Sequence, residues 1–443
     1  MAQRLRGATL VNANTISTVL HRTVVLALVC AGCDASAEAD DQPAPPDAAP
    51  VAAAPAQPPW LDSTRRAEER ELYSSAAAAA WSFADRNYVP ATGLIRPFDT
   101  YSISTMWDIA SGLAALYCAS ELGLITAADY DQRMRKALGT LAQLPLFDDL
   151  SFNKEYDVTN GGMIGITRAP SRRGYGVSAL DTGRFLMWLR IIGQKNPEHA
   201  ALTRKIVDRL QVDELIDDEY LSGRQLSRRT NRVRAFQEGR IGYEQYAAAG
   251  YAAWGHAADH ALDIDKNAED VEVSGVTLPA DRRGNDRLTS EPFILLGLEY
   301  GWREAERRVA ERVLRAQEKR AQETGRIVMV SEDAINIAPD YFFYNTVYSK
   351  HGPWSIDVQR PGVKPTGPRW LSAKAAFGWH ALLPQAYTRQ AVDLVRSRAL
   401  AGGVWGAGVF DNGQPTANPN INTAAVILES ALYREREKPL MNR

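Results

Sequence analysis

Cysteine is scarce: three occur among 443 residues, and Cys30 and Cys33 both precede residue 34. Cys118 therefore has no partner in the body of the chain, which excludes a disulfide framework there. It sits in an apolar stretch and reads as an inert core thiol. Long apolar runs are missing near the start, where 24–31 is far shorter than the ~20 residues that span a bilayer. Charge of one sign is missing too. The formal net charge is -2, which argues against a nucleic-acid binder driven by bulk positive charge.

Several sharp motifs also fail. His256 and His260 are four apart, but Ala257, Ala258 and Asp259 between them lack the glutamate of a zinc protease. No metal and no cofactor is expected. Gly176-Val177-Ser178-Ala179-Leu180 lacks the second glycine of a nucleophile elbow, so Ser178 reads as a helix cap. Gly402, Gly403, Gly406 and Gly408 follow a helical stretch and not a strand, which excludes a dinucleotide loop.

What is present divides the chain in three. Residues 1–33 carry Arg4, Arg6 and Arg22, no acid, and a short apolar run ending in small residues, the pattern of a secretory signal. Its end, Cys30-Ala31-Gly32-Cys33, resembles a bacterial lipobox, although Cys30 replaces the usual leucine. The resemblance implies lipidation of Cys33 and a membrane anchor on the periplasmic side of the envelope, inner or outer; plain secretion is the alternative. Residues 34–59 hold seven prolines, ten alanines, five acids and no base, and read as an extended acidic tether. Residues 60–443 then sum to zero charge. With 45% hydrophobic and 23% charged residues overall, they form an ordinary globular domain.

Within that domain two kinds of helix alternate. Segments 104–123, 177–192, 243–261, 291–300, 370–383 and 420–433 are apolar nearly all round and must be buried. Segments 126–144, 198–210, 303–323 and 388–400 carry one apolar stripe and a charged face, and 62–88 is mixed. Turns from the first kind to the second are short. Returns are long and rich in Gly, Asn, Asp and aromatics, as at 145–176, 211–242 and 401–419. The predicted fold is all-α, an (α/α)6 barrel or toroid, with long loops and minor β elements on one face. One outer helix is short of the count, because 271–273 and 276–278 read as strands.

The run Thr105-Met106-Trp107-Asp108-Ile109-Ala110-Ser111 carries a resemblance. So do Ser178-Ala179-Leu180-Asp181, Gly242-Tyr243-Glu244-Gln245-Tyr246, Ser290-Glu291-Pro292-Phe293, and Asn422-Thr423 with Ile427-Leu428-Glu429. Together, over about 75–436, these blocks resemble the family called domain of unknown function 3131. That family is similar to glucoamylase-like and cyclic-glucan-synthase-associated domains. The resemblance implies a helical toroid near polysaccharide-making machinery. In the glucoamylase-like arrangement a general acid precedes the sixth helix and a base precedes the last. By position that implies Glu238 or Glu244 as acid and Asp411 as base.

Glycoside hydrolysis needs two carboxyl groups flanking the bond, one of them in an apolar setting. Glu244, flanked by Tyr243 and Tyr246, fits such an acid, or else caps its helix. Asp108, beside Trp107 at a helix start, competes as a catalytic residue with a capping role. Asp181 reads as the partner of Arg184 one turn on. Glu332 and Asp333, two further catalytic candidates, and Asp340 sit with Tyr341, Tyr344 and Tyr348 in one long loop, 327–349. Acids among aromatics suit sugar, whose apolar faces pack on rings while polar groups take the hydroxyls. Trp107, Tyr243, Gln245, Glu291, Asp340, Tyr341, Tyr344, Trp354 and Trp405 are the expected substrate contacts. The reading is a glycoside hydrolase or transglycosylase acting on a glucan or exopolysaccharide. A non-catalytic glycan-binding partner of a polysaccharide synthase is the first alternative. A polysaccharide lyase using Arg172, Arg173, Lys350 or His351 is the second.

Overall fold

A computed structural model describes residues 63–335, 337–338, 340–358 and 367–441. The leader, Cys33 and the whole tether region lie outside the described residues. About 46% of the described residues are helical, and they form twelve α-helices. They are α1 (Ser63–Arg86), α2 (Met106–Glu121), α3 (Ala127–Leu141), α4 (Ala179–Lys195), α5 (Pro197–Val207) and α6 (Tyr243–Ala252). There follow α7 (Asp259–Leu262), α8 (Glu291–Leu295), α9 (Glu304–Thr324), α10 (Ala373–Leu382), α11 (Ala386–Arg398) and α12 (Ile421–Arg436). A π turn, Leu296–Tyr300, extends α8.

The helices begin where short polar side chains can accept the first free amides. Thr105, Thr126, Ser178, Ser372 and Asn420 cap α2, α3, α4, α10 and α12 in this way. Pro197 opens α5, and left-handed Gly325 ends α9. The even-numbered helices are buried on most of their surface and form a closed cycle. α2 packs on α4, α4 on α6, α6 on α8, α8 on α10, α10 on α12, and α12 returns to α2. Around them α1 packs on α12 and α2, α3 and α5 on α2 and α4, α9 on α8, and α11 on α10. In α3 the buried residues are Tyr130, Met134, Ala137, Leu138 and Leu141, an apolar stripe facing inward.

The inner helix expected over 243–261 ends at Ala252. Gly255 takes φ 90° there, a left-handed turn that helical backbone cannot contain. Beyond it stand short α7 and an antiparallel hairpin, Ala268–Val273 with Val276–Asp281, against which α9 packs. This hairpin occupies the stretch of chain that would otherwise hold a further outer helix, as the strand-like 271–273 and 276–278 predict. Other short strands lead directly into inner-helix N-termini: Ile103–Thr105 into α2, Gly176–Val177 into α4 and Trp370–Ser372 into α10. These strands and the long loops share one mouth of the ring. Among the described residues no helix is long and apolar enough to cross a membrane.

Candidate active site

The mouth is built from helix caps outward. Thr105 and Asp108 form a capping box at the start of α2. Asp108 Oδ2 accepts from the Thr105 amide and hydroxyl, both at 2.9 Å, and Oδ1 accepts from Asn422 Nδ2 of α12 at 2.8 Å. Burial raises the Asp108 carboxyl above its ordinary range, against the pull of these donors. Next to it Trp107 Nε1 donates to Glu291 Oε1 at 3.0 Å. The other oxygen of Glu291 holds the Lys374 ammonium, which lies 3.8 Å from Asp333 Oδ2. Asp333 in turn accepts from Asn420 at 2.9 Å and from the Thr423 hydroxyl at 3.0 Å.

Glu332 differs from its neighbours. It accepts from the Ser331 hydroxyl at 3.2 Å, and no cation among the described residues stands within ion-pair distance. Burial, only partly opposed by nearby Lys374 and Arg240, pushes it up to about 7.

On the other side of Asp108, Ser178 caps α4 and joins two carboxyls. Its hydroxyl donates to Glu238 Oε1 at 2.8 Å and lies 3.0 Å from Asp181 Oδ1. Glu238 also accepts the Ala179 amide at 2.7 Å. Asp181 is pushed up to about 7 by burial first, then by the charge of Glu238, with Asp108 adding to it. Asp108, Asp181 and Trp107 sit deep among protein atoms yet keep accessible surface, as groups at the floor of a recess do. Trp107 meets Tyr243 at 5.6 Å and Tyr246 at 5.7 Å between ring centres. Arg240 stacks over Tyr243 at 4.3 Å and Tyr344 at 5.4 Å.

The expected Asp181–Arg184 pair is corrected. Asp181 lies in the first turn, where its side chain reaches back to Ser178. Arg184, one turn deeper and fully buried, lies 3.4 Å from Glu299 and 3.3 Å from Glu429. Its guanidinium also sits 4.9 Å from the Trp107 ring centre. Burial and the charge of Glu299 raise Glu429 well above the carboxylate range.

Other expectations are corrected as well. Glu244 is ion-paired with Arg283 and accepts the Leu221 amide, so it is neither a free acid nor a cap. Gln245 is turned to the Gly242 amide and the Ala261 carbonyl. Asp411 is half exposed, with Arg326 at 4.0 Å, and no contact joins it to the other carboxyls. Trp354 is buried in the core near Arg320, and Trp405 packs on Phe377 and donates to the Ala76 carbonyl. Tyr341 is 48% exposed, and Asp340 is half-buried in the same loop. His256 and His260 do not converge: one bonds Asp213, the other the Asp218 carbonyl. His351 lies 3.7 Å from Asp357, whose carboxylate also accepts from Arg287.

Asp131, Glu198 and His199 place potential metal-ligand atoms within 4.8 Å of one another, on the outer wall. Arg135, 2.7 Å from Asp131, already supplies a cation there. Lys374 and Glu299 escaped the sequence reading, and Asn422 and Glu429 entered it only within the blocks of the family resemblance, without a role. The available signal was a lone polar or charged residue inside an otherwise apolar inner helix, which must find a partner.

Ring and recess together define a helical ring protein with a carboxyl-lined mouth. The chain belongs to the family described as protein of unknown function (DUF3131), whose model matches residues 75–437. No curated protein sequence matches it. Among solved structures it is similar to an endo-β-1,2-glucanase from Chitinophaga pinensis in complex with sophorotriose and glucose. The TM-score is 0.58 at 13% identity, over 82% of this chain and 92% of that one. An endo-β-1,2-glucanase from Talaromyces funiculosus, in complex with sophorose, matches with TM-score 0.56 at 11% identity, over 84% and 87%. A candidate glucoamylase from Bacteroides fragilis matches with TM-score 0.58 at 12% identity, over 83% and 92%.

Proposed function

We propose that this protein is a glycoside hydrolase acting on a β-linked glucan, built on an (α/α)6 toroid whose sixth outer helix is replaced by short α7 and a β-hairpin. The observation that carries the reading is the pair Asp108 and Asp181 on the floor of one aromatic recess, in unlike settings. Asp108 accepts three hydrogen bonds, which favour its ionised form. Asp181 has only the Ser178 hydroxyl beside it, whose single proton it shares with Glu238, and faces like charge, which favours its protonated form. Environments that separate two carboxyls in this way assign the acid to Asp181 and the base or nucleophile to Asp108. Half-buried Trp107, backed by buried Tyr243, offers ring surface for sugar. The solved relatives named for β-1,2-glucan make that polymer the first substrate to try.

Cleavage of β-1,2-glucan tests this, with products read by chromatography. The wild type is expected to lose rate as pH rises through about 7, where Asp181 gives up its proton. Asp181→Asn is expected to lose about 100-fold or more in kcat while still binding glucan. The bonds that tie Asp108, Glu291 and Asp333 into caps and ion pairs favour a second reading, a glycan-binding partner of a polysaccharide synthase. Affinity without turnover across a glucan panel, unchanged in Asp181→Asn, would replace the first reading with the second.

The lipobox-like Cys33 and the acidic tether support a lipid-anchored place in the envelope, beside polymer as it is made. In cells fed a clickable fatty acid, Cys33→Ser is expected to lose the acyl label and leave the membrane fraction. Persistent label in that variant would exclude Cys33 as the anchor.

A further inference from the structure

Two neighbouring segments of the mouth are rich in arginine and contain no acid. Residues 164–177 hold Arg168, Arg172 and Arg173, and residues 220–237 hold Arg224, Arg228, Arg229, Arg232 and Arg234. The fold makes them one surface. Gly176 and Val177 pair with Gln225 and Arg224, and strand Tyr220–Leu226 turns back into Val233–Gln237. Arg228 donates to the Ile166 carbonyl at 2.7 Å, and Arg173 donates to Asn231 Oδ1 at 2.7 Å.

All of these arginines except half-buried Arg224 are exposed. Two have a carboxylate within ion-pair distance, Arg168 with Glu155 at 3.4 Å and Arg173 with Asp148 at 3.8 Å. Arg172, Arg228, Arg229, Arg232 and Arg234 have none among the described residues. On the outer helices, by contrast, arginines such as Arg307 and Arg389 stand within 3.0 Å of an acid one turn away. In a domain whose charge sums to zero, so many unpaired guanidinium groups on one hairpin repel one another with no local compensation.

The hairpin is continuous with the recess. Strand Gly176–Val177 runs into Ser178, which contacts Asp181, and strand Val233–Gln237 runs into Glu238, which bonds Ser178. Its tip, Arg228-Arg229-Thr230-Asn231-Arg232, carries no apolar side chain to enter a bilayer. Guanidinium is a planar fork matched to carboxylate, sulfate and phosphate oxygens. We infer that this hairpin is a subsite for an anionic polysaccharide, a glycan bearing carboxylate, sulfate or phosphodiester groups that crosses residues 166–173 and 228–234 on its way into the recess. The inference rests on the glycan reading above and names the class of chain that site takes.

The test compares binding of the full-length protein to β-1,2-glucan and to the same glucan after carboxymethylation, at low and high salt. The test variant combines Arg172→Gln, Arg229→Gln, Arg232→Gln and Arg234→Gln, four side chains with no hydrogen bond to another described residue. A control removes four charges from the outer wall, by Arg312→Gln, Arg315→Gln, Lys319→Gln and Arg396→Gln. The charged glucan is expected to bind about tenfold or more tighter at low salt, an advantage lost at high salt and in the hairpin variant but kept in the control. Equal binding of the two glucans, or equal loss in both variants, overturns the subsite. So does hairpin-dependent binding to phosphatidylglycerol vesicles with no preference between glucans, which assigns the surface to a membrane. Tight binding of the charged glucan with no cleavage of either polymer leaves the subsite standing and removes the hydrolase reading. Cleavage of the neutral glucan with equal binding does the reverse.

Discussion

Lys374 and Glu332 are buried side by side and solve the cost of burial in opposite ways. An ammonium in the core is tolerated when carboxylates surround it, and Lys374 has Glu291 and Asp333. These charges hold its pKa well above the ordinary lysine value. Glu332 has no such partner and keeps its proton instead, up to about 7 against an ordinary 4.5. The consequence for stability has a definite sign. Below about pH 4 the group is protonated in both folded and unfolded chains. As pH rises from about 4 to 7 the unfolded chain releases the proton while the folded one retains it, so the folded state loses stability over that window. Glu332→Gln removes the titrating group and keeps the shape. Its advantage over wild type is expected to be small at pH 4 and to reach about 3 kcal/mol at pH 8. Urea midpoints at the two pH values measure it, and an advantage that does not grow with pH would mean that Glu332 ionises normally. At this scale the sequence was partly legible. Asp108, Glu291, Glu332 and Asp333 were named, because acids beside aromatics at helix starts and in loops stand out. Their partners were not, since which helix faces which is decided by ring closure across hundreds of residues. The partner of Glu244 was illegible for the same reason: Arg283, which pairs with it, lies 39 residues away on another loop.

Helices of the ring differ in how closely they approach, and glycine decides where. A Cβ placed on Gly183 of α4 would stand 2.5 Å from the Ala247 carbonyl oxygen of α6. One on Gly250 of α6 would stand 2.0 Å from the Gly183 carbonyl oxygen. Two backbones therefore touch where side chains would hold them apart. That contact brings the start of α4, with Ser178 and Asp181, beside the segment that ends at Glu238 and enters α6. A close helix crossing at the centre of the ring thus positions the carboxyl pair at its rim. Helix type was legible at this scale, because a segment apolar all round is an inner helix and a striped one an outer helix. Boundaries were less so. Segment 243–261 kept its apolar character past Ala252, and periodicity alone does not show that Gly255 turns left-handed. The crossing itself left no mark in the sequence beyond two glycines in apolar helices, which a helical segment tolerates for several reasons.

For the molecule as a whole, the last helix completes the first. α12 packs on α1, α2 and α10, so residues more than 300 apart in sequence close the ring. It also furnishes polar groups to both levels of the interior. Asn420 and Thr423 hold Asp333, Asn422 holds Asp108, and Glu429 faces Arg184. Without it the apolar faces of α2 and α10 would meet water, and Arg184 would keep one carboxylate of two. A repeat array in which each helix pair contacts only its neighbours would shed a terminal unit and keep the rest folded. A closed ring has no terminal unit to shed. Truncation before Asn420 is therefore expected to abolish the cooperative thermal transition seen by circular dichroism. It should also expose apolar surface to a hydrophobic dye, with much of the helical signal remaining. A truncated chain that still melted in one sharp step, without binding the dye, would show that the ring is a row of independent pairs. The recess would then owe its geometry to local caps and not to closure.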